Sequence, residues 1–167
     1  MKMHFWRRKK REESPAGNIC AWNEETSVVV TLENNEWSGV SSTNGVAVAM
    51  GCNARATATG ARGAILDTGR VVALAAGYQG VAKVVAAEGV AVATGVLGAA
   101  SAGSAYGVAM TTATGGMVRG KLGCALIAVD RLNGVIFNID TAIVDGVNIK
   151  EDTWYACCGG KLVEVER

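Results

Sequence analysis

The sequence predicts an all-β fold, a β-solenoid of the β-roll or β-helix type with about four to five coils and a β cap at each end. The first observation is a nine-residue repeat from Gly45 to Gly123, clearest in Gly45-Val-Ala-Val-Ala-Met-Gly51 and Gly89-Val-Ala-Val-Ala-Thr-Gly95. Five residues that alternate in direction, followed by a glycine-containing corner, form one short strand and a turn. Two such nonapeptide strands would complete one coil, and coils stack at about 4.8 Å.

The second observation is the scarcity of bulky side chains. Half of the 167 residues are hydrophobic, yet only nine are aromatic and 22 are glycine. Such a chain favours a narrow interior with closely spaced backbones. A helix is excluded for the repeats because each recurring glycine would cost about 1 kcal/mol relative to alanine, and the single proline argues against collagen-like or proline-rich disordered chains.

The third observation is where charges fall within the repeat. Counting from the glycine as position 1, Arg55, Lys83 and Arg119 fall at positions 2 and 4, whereas position 3 is never charged and position 5 only at Asp67. Because burying an unpaired charge is very unfavourable, we expect positions 3 and 5 to line an alanine-rich interior. The opposite assignment, with valine inside, stays open, since a one-residue shift of register turns every side chain over.

With two repeats per coil, alternate repeats lie on opposite faces of the solenoid. One face is aliphatic and collects Val72, Leu74, Val90, Val92, Val108 and Met110. The other is mixed and collects Val46, Val48, Lys83, Ser101 and Arg119. A contiguous exposed aliphatic face usually marks an interface, so we predict that the first face packs either against a second copy of the chain, giving a homo-oligomer, or against a cap.

The chain divides into four segments: a basic flexible arm (1–17), an N-terminal cap (18–44), the repeats (45–123) and a C-terminal β-hairpin cap (124–167). In the last segment, Asn133-Gly134 and Gly159-Gly160 predict two hairpins. Trp154 and Tyr155 are expected to close the far end of the core.

The basic arm is a candidate contact for a protein partner or an anionic surface. Its residues of interest are Phe5, Trp6, Arg7, Arg8, Lys9, Lys10 and Arg11. Aromatic and basic side chains together can touch a membrane surface or a phosphate backbone. The plainer interpretation is a solvated tail that aids solubility.

None of the sequence motifs predicts a catalytic, cofactor or metal site. Gly115 to Lys121 has the spacing of a phosphate loop, but Leu122 follows where Ser or Thr is needed, and no helix is expected there. Only one aspartate lies in the repeats, which excludes a ladder of calcium sites. His4 is the sole histidine, so His-based catalysis or metal binding is implausible. The sequence therefore predicts a non-enzymatic protein without cofactors.

Three aspartates and the cysteines could also be proposed as sites. Turn chemistry explains Asp130 and Asp145, and Asp140, in mid-strand, could face solvent. The adjacent cysteines, Cys157 and Cys158, would point to opposite faces of a strand, with one of them buried.

The five cysteines are odd in number and contain no CxxC pair, which favours reduced thiols in the cytoplasm. The basic N-terminus is not followed by an apolar stretch typical of a signal peptide. No run of about 18 apolar residues predicts a membrane-spanning helix.

The repeats and the C-terminal cap together resemble a group of uncharacterised bacterial and phage β-solenoid proteins. Nonapeptides like Ser-Ala-Ala-Ser-Ala-Thr-Gly-Asp-Tyr occur in that group, and its endings contain Val-Asp-Gly, Ile-Lys-Pro-Asp-Thr-Trp-Tyr and Val-Glu-Val. The matching stretches here are Ala56-Thr-Ala-Thr-Gly60, Gly123-Cys-Ala-Leu-Ile127, Val144-Asp-Gly146, Ile149-Lys-Glu-Asp-Thr-Trp-Tyr155 and Leu162-Val-Glu-Val165. Glu151 replaces the proline and Ala125 a tryptophan. The resemblance covers about 120 residues and implies a β-solenoid of phage or mobile-element origin, without an activity to transfer.

The function expected from the sequence is a scaffold or protein-interaction module that self-associates through its aliphatic face. Two alternatives stay open. One is a phage-type inhibitor that binds a host defence protein. The other is a membrane-surface or polymerising structural protein that uses the basic arm.

Overall fold

A computed structural model describes residues 19–22, 27–31, 37–41, 43–50, 55–60, 62–67 and 72–167. Within these ranges the chain forms sixteen strands and no helix, which confirms the predicted all-β class. The strands are β1 (Ile19–Trp22), β2 (Ser27–Thr31), β3 (Trp37–Val40), β4 (Val46–Ala49), β5 (Arg55–Ala58), β6 (Ala64–Asp67), β7 (Val72–Ala75), β8 (Val81–Val84), β9 (Val90–Ala93), β10 (Ala99–Ala102), β11 (Val108–Thr111), β12 (Met117–Gly120), β13 (Ala125–Leu132), β14 (Val135–Ile143), β15 (Tyr155–Cys158) and β16 (Lys161–Glu164).

The strands fall into two sheets that the chain visits alternately. Sheet A has the order β1-β2-β4-β6-β8-β10-β12-β15-β16, and sheet B the order β14-β13-β11-β9-β7-β5-β3. Each strand from β2 to β11 pairs in parallel with the strand two further along the chain, so the parallel stack ends at β12 and β13. One strand from each sheet therefore completes a coil, and the repeats supply β4 to β12, or four and a half coils. The predicted β-solenoid with two nonapeptide strands per coil is confirmed.

Antiparallel strands flank the parallel stack at both ends. β2 and β3 continue the coil ahead of Gly45, and β1 pairs with β2 in antiparallel fashion. At the other end β14 folds back along β13, and the β15–β16 hairpin joins sheet A where Tyr155 pairs with Val118. Both C-terminal hairpins turn where the sequence predicts, at Asn133-Gly134 and Gly159-Gly160.

One repeat is shorter than the others, as the sequence indicates. β7 starts eight residues after β6, whereas β8 and β9 each start nine residues after the preceding strand. Register is kept nevertheless, because Ala73 pairs with Ala56 on one side and with Ala91 on the other. The missing residue thus falls between β6 and β7 and leaves the columns of side chains aligned.

The interior is lined by repeat positions 3 and 5, so the expected assignment with alanine inside is confirmed. Alanines at these positions are fully or almost fully buried in β4, β5, β7, β8, β9, β10 and β11. Towards the C-terminal end the core side chains grow larger, with Val118, Leu126, Val144 and Tyr155 all buried. The narrow alanine core is therefore closed at that end by bulkier groups.

Each of several corners contains a left-handed residue that is not glycine, which the pattern of repeat glycines does not predict. The residue just before position 1 takes a left-handed conformation, with φ of 55° at Gln79, 62° at Glu88 and 61° at Tyr106. Residues other than glycine rarely adopt this left-handed backbone conformation, because it costs about 1 kcal/mol or more. Hydrogen bonds between successive coils offset this cost. The amide of Gln79 donates to the carbonyl of Val96 in the next coil, and the amide of Glu88 donates to the carbonyl of Ala105.

Candidate functional site

The predicted aliphatic residues form two straight columns on the outer side of sheet B. Strand register aligns Val72 with Val90 and Val108, and aligns Leu74 with Val92 and Met110. All six side chains point away from the alanine interior, because their neighbours at positions 3 and 5 are buried. The structure therefore brings all six predicted interface residues together on one face.

Strands β13 and β14 extend this face beyond the repeats. Ala125 and Ile127 continue the two columns, since they pair with Val108 and Met110. On β14 the residues opposite them are Ile143 and Thr141. Ile143 is 66% exposed, and Ile139, two residues before Thr141, is 60% exposed. Ala125, Ile127, Thr141 and Ile143 also line a shallow depression between the two strands.

Sequence reasoning missed the contribution of Ile139 and Ile143. Their alternation with Asn138, Asp140 and Ala142 is visible in the sequence and predicts a strand with one apolar side. Only the pairing of β14 with β13 shows that this side adjoins the columns of sheet B. We call the combined surface the aliphatic face: Val72, Leu74, Val90, Val92, Val108, Met110, Ala125, Ile127, Ile139, Thr141 and Ile143.

Charge and aromatic groups border the aliphatic face at its N-terminal end. Arg55 and Trp37 are exposed on β5 and β3, where they are paired neighbours. The aliphatic face itself contains no charged side chain. It is therefore complementary to another uncharged surface rather than to an acidic or basic one.

The outer side of sheet A is mixed, as the sequence predicts. Val46 and Val48 lie at one end, and Lys83, Ser101 and Arg119 align in one column on β8, β10 and β12. Arg119 Nε donates a hydrogen bond to Ser101 Oγ at 3.1 Å, and its guanidinium carbon lies 4.6 Å from the ring centroid of Trp154. Trp154 therefore lies partly exposed beside sheet A, and the expectation that it closes the core is wrong.

Tyr155 alone acts as the expected aromatic anchor, because neighbouring strand residues point to opposite sides. Its side chain is 3% exposed, and its hydroxyl accepts a hydrogen bond from the Lys150 amide at 2.8 Å. The burial of one aromatic residue is enough to close a core as narrow as this one.

The three aspartates do not form a carboxylate cluster. Asp130 accepts a hydrogen bond from the Gly159 amide at 3.3 Å, and the half-buried Asp140 accepts one from the Leu162 amide. Both thus fasten the β15–β16 hairpin, so the idea that Asp140 faces solvent is wrong. Asp145 instead accepts the amides of its own loop, which lowers the pKa of its carboxyl well below the usual range.

The phosphate-loop motif has no helix after it. Gly115 occupies a corner with φ of 64°, and residues 117–120 form β12. Lys121 lies beside Asp152 and Glu151, and the Asp152 carboxylate raises the pKa of its ammonium group. The motif is therefore part of the solenoid repeat.

Of the adjacent cysteines, Cys157 packs partly against the core, where burial raises the pKa of its thiol, and Cys158 is exposed. Cys124 is buried, with Sγ 2.8 Å from the Ser104 carbonyl oxygen. Among the described residues, no group of three or more His, Cys, Asp and Glu side chains is arranged to hold a metal ion.

The residues of the basic arm, from Phe5 to Arg11, lie outside the described residues. Within the described part of the chain, no helix is long and apolar enough to cross a membrane.

Comparisons of the chain with protein-family models, curated proteins and solved structures find no match. The resemblance to bacterial and phage repeat proteins stays a prediction.

Proposed function

We propose that this protein is a non-enzymatic β-solenoid scaffold whose copies associate through the aliphatic face. The observation that carries the proposal is the register of two uncharged columns, Val72–Val90–Val108 and Leu74–Val92–Met110, on the outer side of one sheet. Large contiguous apolar patches on soluble proteins usually mark interaction sites. A cytoplasmic setting and a phage or mobile-element origin belong to the same proposal and are supported by the cysteine pattern and the sequence resemblance.

A second copy is the partner that best fits the aliphatic face. Its side chains recur at about 4.8 Å from strand to strand, and a surface with the same spacing and the same lack of charge is the face itself. Two copies related by a two-fold axis would place one ladder of aliphatic side chains against another, as closed homodimers require of a self-complementary patch.

The size of the face indicates how strong this association is. The three four-residue strands β7, β9 and β11 cover only about 190 Å² at standard strand spacing. Adding β3, β5, β13 and β14 raises the area to about 600 Å². Specific interfaces bury about 600–1,000 Å² on each partner. The whole outer side of sheet B, including the exposed Trp37 and Arg55 at its N-terminal border, is therefore needed, and we expect a dimer of modest affinity that dissociates on dilution.

Sedimentation velocity over a dilution series tests this proposal, and the repeats offer a matched control. The Gly-Val-Ala-Val-Ala sequence occurs in β4 on sheet A and in β9 on sheet B. Val92→Lys should weaken dimerisation at least tenfold, because it places a charge in the centre of the aliphatic face. Val48→Lys, at the same repeat position on the other sheet, should leave dimerisation unchanged. A wild-type protein that is monomeric at every concentration, or equal effects of the two substitutions, would contradict the proposal.

A further inference from the structure

Three cationic side chains gather on the outer side of sheet A, around Trp154 and Ser101. Lys83 and Arg119 lie on either side of Ser101 in the same column. The guanidinium carbons of Arg119 and Arg167 lie 4.6 Å and 5.1 Å from the ring centroid of Trp154. One indole ring is thus contacted by two guanidinium groups.

No carboxylate neutralises these cations within the described part of the chain. The ion pairs found there join Lys121 and Lys150 to acidic residues of the C-terminal cap, and none includes Lys83, Arg119 or Arg167. Burial lowers the pKa of the Arg167 guanidinium, and so does the positive charge of Arg119. The two like charges repel each other, and a bound anion would relieve that repulsion.

The hydrogen-bonding groups of the cluster are also open to a ligand. Arg119 uses Nε to bind Ser101 Oγ, while its two terminal nitrogens donate to no described residue. Ser101 is 4% exposed and uses its oxygen as the acceptor of that bond, so it fixes the orientation of the Arg119 guanidinium. A cation–π contact with Trp154 uses none of the N–H donors of a guanidinium, so the terminal nitrogens can bind an oxyanion in a bidentate manner.

We propose that Arg119 and Arg167 form an oxyanion-binding site for a phosphate group, with Ser101 orienting Arg119 and Lys83 adding positive charge at the edge of the site. A phosphate monoester carries about 1.5 to 2 negative charges at pH 7 and three acceptor oxygens. It therefore matches two guanidinium groups better than a carboxylate does. The phosphate is either free or the terminal group of a small ligand. The site lies on the sheet opposite the aliphatic face and does not depend on the proposed self-association.

NMR of the Arg119 Nε–H and Trp154 Nε1–H signals tests the site in the full-length protein. The probes are inorganic phosphate and O-phosphoserine, with sodium acetate and sodium chloride at matched ionic strength. Phosphate should shift both signals and reach saturation, and the salts should not. Equal affinities for the two phosphates identify a site for the free anion, and tighter binding of O-phosphoserine identifies a site for a phosphorylated ligand.

Substitutions distinguish specific phosphate binding at this site from non-specific electrostatic attraction. Arg119→Gln and Arg167→Gln should each weaken phosphate binding at least tenfold, and Arg119→Lys, which keeps the charge but loses the fork, should weaken it as well. Lys150→Gln is the control, because Lys150 is paired with Glu164 in the same cap. Shifts that do not saturate, that sodium chloride reproduces, or that Lys150→Gln reduces as much as Arg119→Gln would overturn the proposal.

Discussion

A methyl group on Gly89 would lie 2.0 Å from Cγ1 of Val84. Gly89 is position 1 of its repeat and Val84 is position 5 of the preceding repeat, so the chain turns its corner directly over the last inward-pointing side chain. The same relationship joins Gly116 to Thr111, where the distance to Oγ1 is also 2.0 Å. The repeat glycine is thus required by close approach at these two corners, while the left-handed residue just before position 1 is usually not glycine.

Gly89→Ala should destabilise the protein by about 1–3 kcal/mol, as overpacking of a dense interior does. Val84→Ala removes the clashing methyl groups, so the double variant should be less destabilised than the two single variants added together, by about 1 kcal/mol. Urea denaturation of the four proteins measures this coupling. Strict additivity would mean that Val84 is not what excludes a side chain at Gly89.

Thr111→Val should cost about 1–3 kcal/mol of unfolding free energy, because it leaves a buried donor without a partner. The Thr111 hydroxyl is fully buried and accepts a hydrogen bond from the Ala113 amide at 3.2 Å. Thr112→Val is the matched control, since Thr112 is partly exposed, and it should change stability by no more than about 0.5 kcal/mol. Similar losses in both variants would contradict a special role for Thr111.

The loop at Asp145 should lose stability in acid. The Asp145 carboxylate accepts amide hydrogen bonds from Val147, Asn148 and Ile149, which lowers its pKa in the folded protein. Its stabilising effect is therefore complete above the unfolded value of about 3.9 and disappears as the pH falls through the lower, folded value. The amide signal of Ile149, followed by NMR from pH 5 downwards, should move only in strong acid. In Asp145→Asn this transition should be absent, and its persistence would assign it to another group.

Ile139→Lys should weaken dimerisation at least tenfold, although Ile139 lies outside the repeats. Its side chain is 60% exposed on β14, at the end of the aliphatic face, so the free energy of unfolding of the monomer should stay unchanged. Val163→Lys is the control, on β16 at the corresponding edge of sheet A. Sedimentation velocity compares the two, and intact dimerisation in Ile139→Lys would confine the interface to the repeats.

The repeat period and the placement of charge are local properties, so the sequence by itself determines the coil of two strands, the alanine interior and the division of outward residues into two sheets. An unpaired charge is very unfavourable in a core one alanine deep, and this constraint orients the strands that carry Arg55, Lys83 and Arg119, while the shared period carries the same orientation to the other repeats. The packing of the C-terminal strands against the repeats, in contrast, depends on pairing between segments that are distant in the sequence. The addition of β14 to sheet B brings Ile139 and Ile143 next to the repeat columns, and the β15–β16 hairpin brings Trp154 and Arg167 beside Arg119. The nine-residue period does not predict either of these contacts. Each arises because a C-terminal strand pairs with the free edge of the last coil.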